Sequence, residues 1–203
     1  GQLWNYYADE LYNTLFIQYD FIKGDDDFNY DIGAQFIDFS EVGKLKASDT
    51  EIDYSLYSLR YNAGWGNGIS LATGASKYTD GDGQGSTLGA WGGYPYFANG
   101  MIYHFFEVGS LRNAESYKVQ LGYDFKLESP DKVGVYLRHT RYYLDSDYSF
   151  SSAGDPQDLM TMTGIQLKYR AKGGTYFTGT YEQHHIDDEP KTWALRLIGG
   201  ITF

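Results

Sequence analysis

In residues 193–203 apolar and polar side chains alternate with a period of two. Trp193, Leu195, Leu197, Ile201 and Phe203 fall on one side, and Ala194, Arg196, Gly200 and Thr202 fall on the other. Ile198 interrupts the rhythm, and Gly199 allows close backbone approach. Because successive side chains of a strand point to opposite faces, this stretch is a ribbon with one apolar face. That face begins and ends with an aromatic ring, as a strand crossing an outer membrane requires: apolar toward lipid, small or polar toward a lumen, aromatic at both interfaces. A last residue that is Phe fits such a strand better than the frayed, polar end usual in a soluble domain.

The same alternation recurs along the chain and predicts about ten crossing strands of roughly 9–11 residues each. They are expected over residues 2–7, 12–21, 30–39, 52–61, 69–78, 116–126, 133–143, 161–170, 175–183 and 193–203. The clearest is 116–126, where Tyr117, Val119, Leu121, Tyr123 and Phe125 alternate with Lys118, Gln120, Gly122, Asp124 and Lys126. The least clear is 52–61, with tyrosines on both faces; Tyr57, Leu59 and Tyr61 are placed toward lipid, Ser58 and Arg60 inward. The connections alternate in character. Those at 23–28, 64–67, 128–131 and 172–174 are short, whereas 40–50, 79–113, 145–159 and 187–191 are mostly longer and more acidic. Short periplasmic turns and long external loops are the asymmetry of transmembrane barrels, with the short 8–11 connection an exception.

Composition agrees with strands and tight turns. The 203 residues include 21 Tyr, 12 Phe and 25 Gly but only 4 Pro, a balance that favours sheet over helix. A 42% hydrophobic share would suit a soluble protein, and it also suits a barrel in which only alternate residues meet lipid. No run of about 18 apolar residues exists, so no transmembrane helix is expected. The absence of Cys removes disulfides and thiol chemistry, and a net charge of −11 argues against nucleic acid as a partner. A chain that starts at Gly1 is expected to be a processed or truncated product.

Three segments together resemble a known family. They are Leu3-Trp4-Asn5-Tyr6-Tyr7-Ala8-Asp9 with residues 15–19; Gly89-Ala90-Trp91-Gly92-Gly93-Tyr94-Pro95-Tyr96-Phe97; and Arg112-Asn113-Ala114-Glu115-Ser116-Tyr117 running into Leu121-Gly122-Tyr123-Asp124-Phe125. They are similar to the OprD family of outer-membrane porins, and the resemblance spans this chain but only the C-terminal half of that family. It implies a bacterial outer-membrane location, surrounding lipid and lipopolysaccharide, and a single barrel of roughly eighteen strands. About ten strands closing alone would leave an interior filled by side chains, whereas 16–18 leave an aqueous channel. Edges left unpaired in lipid are not tolerated, so the remaining strands are expected from another segment or chain.

The candidate site residues follow from which face they share. Arg60, Lys118, Arg138, Lys168, Arg170 and Arg196 all fall opposite the apolar face. A basic side chain facing lipid at mid-membrane would cost about 2–4 kcal/mol, which forces inward placement. One reading makes these six a basic ladder along a lumen wall that guides small anionic or carboxylate-bearing solutes, as the resemblance also implies. The other has them neutralise Asp20, Asp31 and Asp124, or snorkel at the rim. The 79–113 segment is read as a long external loop folded into the lumen, with Trp91, Tyr94, Tyr96 and Phe97 as a constriction; an external cap is the alternative.

Other groups are weaker. Asp80-Gly81-Asp82-Gly83-Gln84-Gly85 resembles the start of a calcium loop but lacks the Glu at its twelfth position. His184, His185, Asp187 and Asp188 are read as a solvated rim. As alternatives they would bind a divalent metal or serve a ten-stranded outer-membrane protease or lipid-modifying enzyme, although adjacent histidines on a strand face opposite ways. A structural or adhesive surface barrel is the third alternative. No nucleophile motif, phosphate loop or zinc spacing occurs, so no catalytic residue, metal ligand or cofactor is assigned.

Overall fold

The computed structural model describes residues 1–9, 12–43, 53–79, 97–98, 114–143, 159–186 and 190–202. Ten strands follow one another: β1 (Gln2–Ala8), β2 (Tyr12–Gly24), β3 (Phe28–Glu41), β4 (Asp53–Trp65), β5 (Ile69–Tyr78), β6 (Glu115–Phe125), β7 (Lys132–Tyr143), β8 (Leu159–Arg170), β9 (Thr175–Ile186) and β10 (Thr192–Ile201). Each pairs antiparallel with the next, so spatial order equals chain order. Among the described residues β1 and β10 each have one neighbour, and the sheet is an open wall with two free edges.

The strands outrun the sequence pattern at several ends. β2 and β3 have 13 and 14 residues, because the ladder continues through Lys23 opposite Tyr30 and Gly24 opposite Asn29 after the apolar rhythm has faded. Backbone pairing has no need of alternation, so hydrophobic periodicity marks the membrane-facing stretch rather than the strand's full length. The β2–β3 turn shrinks to residues 25–27. There the Asp25 carboxylate accepts the backbone N–H groups of Asp27 and Phe28, each at 3.0 Å. The β4–β5 and β8–β9 turns place Gly68 and Gly174 at φ of 96° and 87°, a region that side-chain-bearing residues seldom occupy.

The two faces differ as the alternation predicts. Leu3, Tyr19, Leu59, Leu121, Leu137, Trp193, Leu195 and Leu197 are all exposed on the outer face, far more apolar surface than a protein in water tolerates. That apolar band does not follow the cross-strand rows. Ile17, Phe36 and Tyr57 form one row on β2–β4, and the same row reaches Lys77, Glu115 and Tyr143 on β5–β7. Rows run at right angles to strands, and barrel strands tilt, so a band level with the membrane must cut the rows obliquely.

Candidate functional site

The inner face is best described as successive cross-strand rows, starting at the end that carries the long connections. An apolar cluster cuts obliquely across the first three rows: Phe16, Ile37, Leu56 and Tyr78 share one, Tyr142 and Met160 lie in the row of Gln18, Gln35 and Ser58, and Met162 lies in that of Arg60. Phe16, Ile37, Leu56, Tyr78, Ala114, Tyr142, Met160 and Met162 form one buried cluster, with Ile186 packed against it. These positions share the parity of the inward polar residues, so their inner placement follows from the same alternation. Phe97 and Ala98 are also buried against this wall: Ser116 Oγ donates to the Ala98 carbonyl at 3.4 Å, and a Cβ at Gly74 would lie 2.6 Å from the Phe97 carbonyl oxygen. Gly74 is thus a flat place on the strand where another backbone rests.

The middle rows carry paired charge. Arg60 sits between Gly33 and Gly74 in its row, which lets the long side chain lie across the sheet. Its Nη2 meets Asp20 at 2.7 Å and its Nε meets Asp31 at 2.8 Å; Gln18 and Asn62 donate to the second oxygens of those carboxylates. The guanidinium carbon also stands 4.7 Å from the centre of the Phe97 ring. This residue is committed to a network that joins three strands. Lys118 lies in the same row beyond Gly74, and Arg138 lies one row further on, donating through Nε to Gln120 at 2.9 Å. In the Arg138 row, Gly164 separates it from Glu182.

Glu182 is a residue that the sequence search missed. It is buried on the inner face, and its Oε1 is 3.0 Å from His184 Nε2. The expected solvated rim is therefore corrected for His184, which is only 7% exposed, because it belongs to the inner row that continues through Met162. His185 pairs with Thr161 on the opposite face, as adjacency on a strand demands. Among the described residues no cluster of His, Asp and Glu is arranged to hold a metal.

The last rows, at the short-turn end, are basic and open. Lys168 and Arg170 are exposed, and Lys132 faces Arg170 directly across the β7–β8 ladder. Like charges set opposite each other destabilise a sheet, so this arrangement is not explained by stability. Together with Lys126, Asp124 and Tyr136 they border a cavity of about 560 Å³. Tyr136 donates its hydroxyl to Asp124, and the Lys168 ammonium stands 4.7 Å from the Tyr136 ring centre. Arg196 lies one row closer to the middle than Lys168, in the row of Tyr136, Gln166 and Thr180. All six cations singled out in the sequence thus share the inner face, distributed from the middle rows to the short-turn end. Trp91, Tyr94, Tyr96, Asp80, Asp82, Asp187, Asp188 and Phe203 lie outside the described residues.

An all-antiparallel meander with an apolar band on one side, charge on the other and, among the described residues, two free edges defines a fold class: part of the wall of a transmembrane β-barrel. Solved structures agree on that fold. Pseudomonas aeruginosa OccK9 (OpdG) matches with a TM-score of 0.74 at 16% identity, over 97% of this chain and 48% of its own. A BenF-like porin from Pseudomonas fluorescens Pf-5 matches with a TM-score of 0.74 at 17% identity, over 97% of this chain and 49% of its own. Pseudomonas aeruginosa OpdK, solved with vanillate, matches with a TM-score of 0.69 at 18% identity, over 97% and 50%. The chain therefore spans about half the length of the porins it matches. No family model and no curated protein matches it in sequence.

Proposed function

We propose that this chain forms about half the wall of a bacterial outer-membrane channel through which small anionic or carboxylate-bearing solutes diffuse. The carrying observation is the placement of Arg60, Lys118, Arg138, Lys168, Arg170 and Arg196 on one face of a wall whose other face carries the exposed apolar band. In an acidic chain that segregation attracts anions into the lumen. Vanillate, the molecule in one OpdK structure, is an aromatic carboxylate and fits the same chemistry. The unpaired edges of β1 and β10 support completion by further strands from another segment or chain, since lipid offers no hydrogen-bond partners.

The proposal includes infolding of the 79–113 loop as a constriction. Its support is the buried Phe97 under the Arg60 guanidinium, with its backbone seated on Gly74. Enzymatic use of the His184–His185 pair is disfavoured by their opposite orientations. A purely structural barrel is disfavoured by the open basic cavity at the short-turn end. Planar-bilayer recording of the complete assembly tests the reading: an anion-selective conductance blocked by aromatic carboxylates is expected. No conductance, or cation preference without carboxylate affinity, removes it.

A further inference from the structure

The outer face departs from a plain lipid-facing surface at the long-connection end of β5–β9. Where β2–β4 present Ile17, Phe36, Tyr57, Tyr19, Ala34 and Leu59, the same two rows on β6–β9 present Glu115, Tyr143, Arg141, Thr161 and His185 beside Tyr117 and Leu159. The next row adds His139, Thr163 and Gln183 between Val119 and Trp193, with His139 Nδ1 and Thr163 Oγ1 2.8 Å apart. Hydrocarbon supplies no partner for any of the polar groups among them. Lys77 is neutralised by Glu115 at 2.8 Å, and Glu115 also accepts from Tyr117. Arg141 is exposed and has no carboxylate partner among the described residues; its Nη1 only reaches the Tyr143 hydroxyl, at 3.4 Å.

Two grooves meet at this place. One, of about 590 Å³, crosses β2–β6 on the outer face, with Ala34 and Ala75 set low between Phe36, Tyr57, Leu59 and Tyr117. The other, of about 690 Å³, is bordered by His139, Arg141 and Tyr143. Glu115 and Tyr117 border both. A groove lined by apolar rings, a lone guanidinium and a field of hydroxyl and amide groups therefore adjoin in that order across the sheet.

We propose that this face seats one molecule of a phosphorylated acyl glycolipid of the lipopolysaccharide type, from the outer leaflet. An acyl chain lies in the Ala34–Ala75 groove, a phosphate sits on Arg141, and sugar hydroxyls meet Thr161, Thr163 and Gln183. Guanidinium is the favoured partner for phosphate because its planar donors match two oxygens at once. The inference rests on the membrane reading above and names a lipid partner for its outer side.

The complete porin in phosphatidylcholine nanodiscs is titrated with three probes, bound molecules being counted by native mass spectrometry. The probes are a diphosphorylated acyl glucosamine lipid, the same lipid without phosphate, and inorganic phosphate. The phosphorylated lipid is expected to bind most tightly, with one copy retained. Arg141→Gln should weaken it about tenfold, the worth of a charge-assisted contact, and leave the dephosphorylated lipid unchanged. Ala75→Phe, which fills the groove, should weaken both lipids. Unchanged binding in Arg141→Gln, equal binding of the two lipids, or inorganic phosphate binding as tightly as the lipid overturns the proposal. So does a change in subunit number without a change in lipid count, which would make this face a contact between copies. Both variants should keep wild-type conductance, since neither side chain faces the lumen; absence of conductance in the unmodified protein tells against the channel alone.

Discussion

The two ends of the inner face obey different rules. At the long-connection end Ile37, Leu56 and Phe39 are wholly buried, and the Phe97–Ala98 backbone rests on Gly74. At the short-turn end Lys132, Lys168 and Arg170 stand exposed around an open cavity. Arg60 marks the boundary, its charge spent on Asp20 and Asp31 and its flat face stacked on Phe97. One wall thus holds a packed half, bounded by a cation committed to carboxylates, and an open half whose cations stand exposed.

Replacing the boundary residue should do the most damage. Arg60→Ala leaves two partly buried carboxylates unpaired and removes the stack on Phe97. Because the side chains are about a quarter exposed, the expected loss is about 2–3 kcal/mol, less than for a dry ion pair. Urea unfolding in lipid vesicles measures it, and a change within error would make the network ornamental. Next, Gly74→Leu drives a side chain into the Phe97 carbonyl and should destabilise by about 2 kcal/mol. It should also change the open-channel conductance, because the segment must leave its seat. Stability loss with conductance intact would separate packing from constriction.

At the open end, Lys168→Gln with Arg170→Gln should lower carboxylate influx into liposomes by roughly tenfold, with little effect on unfolding. Equal loss of stability and influx would give these residues an architectural role. The smallest effect belongs to the β2–β3 turn. Two backbone N–H groups, from Phe28 and then Asp27, hold the Asp25 carboxyl below its ordinary value. The turn's extra stability is therefore present above the unfolded-state value and is lost as pH falls through the folded one. Relative to the intrinsic rate, the protection of the amides of residues 27 and 28 from exchange should fall on acidification in the native protein. In Asp25→Ala that protection should be absent at every pH.

The alternation of Tyr117, Val119, Leu121 and Tyr123 against Lys118, Gln120 and Gly122 made the strands and their lipid face legible, because period-two patterning is local to each strand. The inward parity of the six cations was legible for the same reason. Less so were the ends of β2, β3 and β4, where backbone pairing outlasts the pattern, and the burial of Glu182 and His184, which depends on neighbours from other strands.

By itself, then, the order of residues determined which face each side chain takes, since that follows from counting by two along a strand. Only the tertiary structure decided which cations are spent on carboxylates, because Arg60 meets Asp20 and Asp31 through side-chain reach across strands 29 and 40 residues apart in sequence. It alone also revealed that Gly74 is a seat for Phe97 and that Glu115 and Tyr117 join the groove beside Arg141 to a second, more apolar one, since register sets such neighbours and no single strand encodes it.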